Sequence, residues 1–187
     1  MTETSPASAD FSESRVPLWL TKVWASADRV FGDSGFRKKL RFFRTVLLFK
    51  DLSTRDLATL VKKTMEKSYG PGEIVFQEGH LGRAFFVVAD GQVEILRRIQ
   101  VDESPQVVAR FEKGDFFGEM VLLDELPRSA TCRAVETTRL HILYKDHFDS
   151  LCLQSPRAGV SILHALGRLL SARLRRERRS LGTPLVR

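Results

Sequence analysis

The sequence predicts a mainly β domain, an antiparallel sandwich or small barrel, with flanking helices at both ends. Apolar residues follow helical spacing up to about residue 67, and short runs rich in Val, Ile, Phe and Leu fill residues 68–144. Helical spacing returns after Tyr144. No long helix separates the short apolar runs, which disfavours a parallel α/β sheet. A chain of 187 residues is long enough to bury one sizeable core.

The N-terminal third is predicted to be a disordered acidic tail, residues 1–14, followed by a helical segment, residues 15–67. The apolar spacing predicts three helices, at about 18–31, 36–47 and 53–67. Residues 32–35, with the sequence Gly-Asp-Ser-Gly, predict a turn between the first two helices. Ser53 and Asp56 form a capping-box pattern that predicts the start of the third helix.

The middle segment, residues 68–144, is predicted to be the β domain. Glycine-containing turns separate most of its short apolar runs, which is typical of antiparallel strands. The predicted strands are Glu73–Gln77, Ala84–Ala89, Gln92–Ile99, Gln106–Phe111, Thr131–Val135 and Arg139–Tyr144.

The C-terminal segment, residues 145–180, is predicted to contain two helices, followed by a short tail at 181–187. The first covers Lys145–Gln154 and ends at Ser155-Pro156. The second is amphipathic and extends to about Arg179.

Charge is distributed unevenly along the chain. The formal net charge is −3 over residues 1–14, +8 over 15–67, −5 over 68–156 and +7 over 157–187. Because nucleic-acid surfaces neutralise phosphates with Lys and Arg, the acidic middle argues against such a surface on the sheet. The basic run at 173–179 is either a solvated helix face or a contact for acidic lipid, nucleic acid or an acidic protein.

The chain is expected to be cytoplasmic and to have no transmembrane segment. Residues 1–14 have no basic residue and no apolar run, so they do not resemble a secretory signal. No stretch approaches the roughly 20 apolar residues of a membrane helix. Cys132 and Cys152 lie among apolar neighbours, which is typical of buried thiols in a reducing compartment.

Residues 114–131 carry the pattern most typical of a binding site. Gly118 allows a sharp turn and a close approach to a ligand. Residues 119–123 fit one helical turn, whose first N–H groups lack partners and favour an anion. Arg128, which follows Glu119 by nine positions, can contact two phosphate oxygens with its planar guanidinium.

Glu119 narrows the choice of ligand, because a carboxylate repels a neighbouring phosphate. Its presence is consistent with a ligand that offers a hydroxyl next to a singly charged phosphate, as a ribose phosphate can. A triphosphate would require more lysines, a Walker-type glycine loop and Mg²⁺ ligands, which this segment lacks. The alternative is that Glu119 and Arg128 form a partly exposed ion pair worth about 0–1 kcal/mol.

The sequence resembles the cyclic-nucleotide-binding domain family, which includes the catabolite activator protein, kinase regulatory subunits and cyclic-nucleotide-gated channels. Gly118–Met120 and Pro127–Thr131 resemble the family's phosphate-binding cassette, residues 117–131 here. The upstream segments that resemble the family are 48–53, 69–79 and 85–93. The likeness covers about Val46 to Leu174.

This resemblance implies a jelly-roll barrel with a C-terminal lid helix that begins at Arg157. It implies that Glu119 accepts the ribose 2′-hydroxyl, that Arg128 pairs with the exocyclic phosphate oxygens, and that Ser129 bonds the phosphate or the purine. The resemblance implies cAMP or cGMP as the ligand, and the serine at position 129, which the catabolite activator protein also has, makes cAMP the more expected of the two. The other implied contacts are backbone groups near Gly118, Met120 and Ala130, an apolar wall of Ala109, Phe111, Phe117 and Val121, and a purine contact from Arg173 or Arg176.

We therefore predict a non-catalytic sensor without a cofactor, which relays ligand binding through its flanking helices to a protein partner or within a homodimer. The alternative is a scaffold with a vestigial pocket. A cupin-type enzyme is disfavoured, because the four histidines have no metal-ligand spacing and no serine or cysteine has a paired base. A DNA-binding helix-turn-helix is not expected in the eight residues after Arg179.

Overall fold

The computed structural model describes residues 34–98, 104–124 and 126–180, with side chains up to residue 176. The predicted acidic tail, the first predicted helix and the C-terminal tail lie outside the described residues. The description below concerns the compact unit Lys38–Arg187, together with the few preceding residues of its first helix.

Four helices flank the strands. Their bounds are Ser34–Thr45 (α1), Thr54–Lys62 (α2), Lys145–Gln154 (α3) and Pro156–Ser180 (α4). The predicted cap of α2 is confirmed, because the Ser53 hydroxyl oxygen accepts the Asp56 N–H at 3.1 Å. Two helix boundaries were wrong: α1 already includes the last two residues of the predicted turn, and α2 ends at Lys62 instead of Lys67.

Eight strands form two four-stranded antiparallel sheets, ordered β1-β8-β3-β6 and β2-β7-β4-β5. Their bounds are Met65–Tyr69 (β1), Ile74–Phe76 (β2), Ala84–Asp90 (β3), Gln92–Arg97 (β4), Gln106–Glu112 (β5), Phe116–Phe117 (β6), Thr131–Ala134 (β7) and Thr138–Tyr144 (β8). The prediction of a mainly β fold with flanking helices is confirmed, although β1 and β6 were not predicted. Within the described ranges no strand ladder joins the two sheets, so the predicted barrel is not closed.

The main core lies between the two sheets. Phe86 and Phe117 from the first sheet meet Val93 and Cys132 from the second within one buried cluster. The intervening residues of β3 are buried as well; Phe85, for example, packs edge-on against Phe49 at 5.9 Å between ring centroids. Because β3 is covered on both faces, it is almost continuously apolar.

His141 on β8 is buried beneath α1. It is 5% exposed and packs against Phe42 and Phe43, with ring centroids 5.6 and 5.1 Å away. Its Nδ1 atom has no hydrogen-bond partner, although a Glu66 carboxylate oxygen lies 3.5 Å away. Burial, assisted by the positive charges of Lys39 and Arg139, lowers the pKa of His141 to about 4.

Gly91 forms the tight turn between β3 and β4, where the chain passes from one sheet to the other. Its φ is +82°, and a Cβ atom would lie 2.6 Å from the Thr137 carbonyl oxygen. The turn therefore requires glycine for both its conformation and its packing. Among the helices of the described segments, none combines the length and the apolar character needed to cross a membrane.

Candidate functional site

An open cavity of about 450 Å³ lies between the second sheet, the β6–β7 connection and α4. Such a volume is typical of a site for a small molecule. All ten predicted contact residues line this cavity: Ala109, Phe111, Phe117, Gly118, Glu119, Met120, Val121, Arg128, Ser129 and Ala130. Arg173 also lines it, whereas Arg176 does not. Their role as ligand contacts stays a prediction.

Gly118 turns the chain from β6 into a single 3-10 turn, Glu119–Leu122, as the sequence predicts. Its φ is +68°, and a Cβ atom would approach the Arg128 guanidinium to 2.7 Å. Glycine therefore allows the left-handed conformation and leaves room for the arginine. The first N–H groups of the turn have no acceptor within it, so they can receive an anion.

The guanidinium of Arg128 is half-buried and held by the protein on several sides. Its Nη1 donates to the Gly118 carbonyl at 3.3 Å and its Nη2 to the Ala84 carbonyl at 2.5 Å. The guanidinium also lies over the Phe76 ring, 4.2 Å from the centroid. Burial lowers the pKa of Arg128, against the opposing influence of Cys132 and Glu119. Two of the five N–H groups are used, so three remain for an anionic ligand.

The backbone on either side of Arg128 is fixed to the turn between β2 and β3. The Arg128 N–H donates to the His80 carbonyl and the Arg128 carbonyl accepts the Gly79 N–H, both at 2.8 Å. Gly82 leaves space for the side chain, since a Cβ there would lie 3.1 Å from the guanidinium carbon. The two backbone hydrogen bonds and the space at Gly82 together hold the guanidinium in place beside the cavity.

Glu119 is only 7% exposed, and its partner is on α4. Its Oε1 accepts a hydrogen bond from Arg173 Nη1 at 2.5 Å. The alternative of a Glu119–Arg128 ion pair is therefore not what the described residues show. The carboxylate expected to contact a ligand hydroxyl is already bound to the C-terminal helix.

Three phenylalanines, Phe76, Phe111 and Phe117, line the cavity near Arg128, and Phe86 packs against them from the core. Phe117 stacks on Phe86 with 5.2 Å between ring centroids and on Phe111 with 5.7 Å, and Phe76 lies 5.6 Å from Phe86. Apolar rings beside an anion lower the local polarity and strengthen the hydrogen bonds that the anion makes. Among the residues that the structure describes, no group of His, Cys, Asp or Glu side chains could hold a metal ion.

Several residues that line the cavity were missed by sequence reasoning. They are Phe76, Gly82, Ile95, Arg97, Val108, Asp124, Leu126 and Pro127. For Ile95 and Arg97 a signal was present, since alternate residues of a strand share one face. For Val108 there was none, because it reaches the cavity through a register shift between β4 and β5.

Comparison with known proteins agrees with this geometry. Residues 66–155 match the family described as "Cyclic nucleotide-binding domain". The chain is 33% identical over 128 residues to a cAMP-dependent protein kinase regulatory subunit of Mycosarcoma maydis, covering 67% of this chain and 24% of the relative. It is 32% identical over 95 residues to cGMP-dependent protein kinase 2 of Homo sapiens, covering 51% of this chain and 12% of the relative.

The fold comparison gives the same result. The crystal structure of Thermus thermophilus catabolite activator protein matches with a TM-score of 0.65 and 32% identity, covering 73% of this chain and 62% of that one. The chain spans a quarter or less of the two kinase relatives. The shared part contains the two sheets and the connection that bears Gly118, Glu119 and Arg128. Residues 66–155 of this chain therefore match the cyclic nucleotide-binding domain family.

Proposed function

We propose that the cavity binds a cyclic nucleoside monophosphate, with cAMP favoured, and that the protein is a non-catalytic sensor. The observation that carries this proposal is the placement of Arg128 and Glu119 on one cavity of about 450 Å³. Relatives that are named for cAMP and for cGMP support the ligand class. Ser129 on the same cavity supports adenine as the preferred base.

Each end of the ligand has a chemical counterpart in the cavity. The singly charged phosphate would accept two of the three remaining N–H groups of Arg128, together with N–H groups of the 3-10 turn. The ribose 2′-hydroxyl would donate to Glu119. The purine would lie along the apolar wall that includes Ala109 and Val121.

We also propose that binding is relayed through α4. Arg173 and the ligand hydroxyl would contact the same carboxylate, so a ligand must change how α4 is held at Glu119. Binding would then favour one placement of the helix over another. The exposed Arg175 and Arg176 on α4 would present the altered surface to a partner protein or a second copy.

Calorimetric titration of the protein with cAMP, cGMP and linear 5′-AMP tests the ligand class. We expect saturable 1:1 binding of the cyclic nucleotides and much weaker binding of 5′-AMP, whose doubly charged phosphate faces the Glu119 carboxylate. Absence of binding by every cyclic nucleotide would overturn the proposal in favour of a scaffold with a vestigial pocket.

A further inference from the structure

Arg97 is a charged residue on a strand face that is otherwise apolar. Val93, Ile95 and Arg97 alternate along β4 and therefore share one face of the strand. Val93 is fully buried in the core, Ile95 lines the cavity, and Arg97 lines it at the end of the strand. Arg97 therefore lies on the strand face that lines the cavity, at its exposed end.

Strand pairing places Arg97 beside the apolar wall. Ile95 pairs with Ala109 and Arg97 pairs with Gln106, and the register shifts between these two pairs. Because of this shift, both Val108 and Ala109 line the cavity. Ile95, Val108 and Ala109 form a surface suited to a flat purine ring, with Arg97 beyond its edge.

The Arg97 side chain makes no hydrogen bond or ion pair within the part of the chain that the structure describes. Arg110 on β5 differs, since its guanidinium lies 4.0 Å from the Glu94 carboxylate. Two other guanidiniums already contribute to the cavity: Arg128 near the 3-10 turn and Arg173 on Glu119. A third guanidinium exceeds what one singly charged phosphate requires, so its donors are available to acceptors elsewhere on the ligand.

The two purine bases differ in the edge that would face such a donor. Guanine presents two adjacent acceptors, O6 and N7, which match the two-pronged guanidinium. Adenine presents N7 beside an amino group that is itself a donor, so it can satisfy only one prong. We propose that Arg97 recognises the O6/N7 edge of guanine and allows the cavity to accept cGMP as well as cAMP. This inference rests on the proposed cyclic-nucleotide site.

The test compares three ligands on one variant, Arg97→Met, which keeps the aliphatic stem and removes the donors. The ligands are cGMP, cAMP and inosine 3′,5′-cyclic monophosphate, which has O6 and N7 but lacks the guanine amino group. We expect the affinities for cGMP and the inosine nucleotide to fall about 5- to 100-fold. The affinity for cAMP should change less than about threefold.

Two further variants serve as controls. Arg97→Lys keeps the charge without the planar fork, so it should recover only part of the cGMP affinity. Arg110→Met removes the same charge from the neighbouring strand without altering the lining of the cavity, and it should leave the ratio of the cGMP and cAMP affinities unchanged. Because Arg97 is exposed, these substitutions should leave thermal unfolding close to that of the wild type.

The possible outcomes separate the two proposals. If the wild type binds no cyclic nucleotide, the proposed function fails. If the wild type binds but Arg97→Met weakens all three ligands equally, Arg97 acts on the phosphate and the inference is overturned. It is also overturned if no affinity changes, or if cGMP loses affinity while the inosine nucleotide does not.

Discussion

Arg128 uses different N–H groups for the protein and for the proposed ligand. Two of its donors hold the Ala84 and Gly118 carbonyls, and the stacked Phe76 ring fixes the plane of the guanidinium. This arrangement orients the remaining donors before a ligand arrives. Preorganised donors lose little freedom on binding, so they contribute strongly to affinity.

Replacing Arg128 should therefore remove most of the affinity. We expect Arg128→Met to weaken cyclic-nucleotide binding by about 2–5 kcal/mol, or roughly thirty- to a few thousand-fold, as measured by calorimetry. Arg83→Met is the matched control, since this exposed arginine carries the same charge and does not line the cavity. Unchanged affinity in the Arg128 variant would contradict the assignment.

Two glycines with positive φ should respond differently to alanine. In Gly118→Ala the new Cβ meets the movable Arg128 guanidinium, so we expect a cost of about 1–2 kcal/mol in stability and about a tenfold or greater loss of affinity. In Gly91→Ala it meets the Thr137 and Thr138 backbone at 2.6 and 2.8 Å, which cannot give way cheaply. Gly91→Ala should therefore lose more stability while its folded fraction binds normally. Thermal unfolding and calorimetry measure the two effects, and normal affinity in Gly118→Ala would contradict the prediction.

His141 should make the fold sensitive to acid. The groups that face it are Lys39 from α1, Glu66 from β1 and Arg139 from its own strand. The folded-state pKa is about 4, below the usual 6.5, so the unfolded chain binds a proton first as the pH falls. The stabilising contribution is present above pH 6.5 and is lost as the pH falls towards 4, by up to about 3 kcal/mol.

The measurement is the free energy of unfolding in urea at several pH values between 7 and 4. His141→Phe, which fits the neighbouring phenylalanine rings, should flatten the decline. His164→Gln, which changes an exposed histidine on α4, should leave it unchanged. An equally steep decline in His141→Phe would show that other groups cause the acid sensitivity.

At the scale of single elements, the contact between α4 and the 3-10 turn is the link that the proposed relay requires. We expect saturating cAMP to alter amide hydrogen exchange in residues 170–176 of α4 in the wild type. Arg173→Met should abolish this response, because it removes the hydrogen bond to Glu119. Arg176→Met removes an exposed charge that does not line the cavity, and it should preserve the response. Identical exchange with and without ligand in the wild type would refute the relay.

The elements that were missed show where sequence patterns lose information. Four of the five residues of β1 are exposed and only Tyr69 is buried, so this edge strand has no apolar alternation. Its pairing with β8, from Met65 opposite Ile142 to Tyr69 opposite Thr138, makes it a strand. The two-residue β6 is too short to show a period at all. The helix α3 was predicted with its observed bounds, Lys145–Gln154, because the Ser155-Pro156 stop signal follows it directly.

The candidate site was predictable to the extent that it is contiguous in sequence. Gly118, Glu119 and Arg128 lie on one connection, so their spacing alone indicated a common role. The position of Arg173 on Glu119 depends on how a helix 54 residues away packs, which no local pattern specifies. Arg97 was missed as a cavity residue. Its alternation with Ile95 shows that the two share a strand face, but only the folded structure shows that this face lines a cavity.

At the scale of the whole molecule, the described residues that line the cavity all lie between Phe76 and Arg173. We therefore expect a fragment of residues 34–187 to fold cooperatively and to bind cAMP within about threefold of the full chain. Circular dichroism during thermal unfolding and calorimetry measure these properties. Loss of binding in a folded fragment would show that residues 1–33 contribute to the site.

The two cysteines differ in a way that makes them a natural chemical reporter. Cys132 is fully buried on β7, and burial raises its pKa to about 12, whereas Cys152 is partly accessible on α3. Burial also raises the pKa of Cys152, so an alkylating reagent should modify it slowly, and Cys132 only when the sheets separate. Mass spectrometry distinguishes singly from doubly alkylated protein. The rate at which the doubly alkylated form appears would therefore measure how often the sheet β2-β7-β4-β5 opens, without any engineered label.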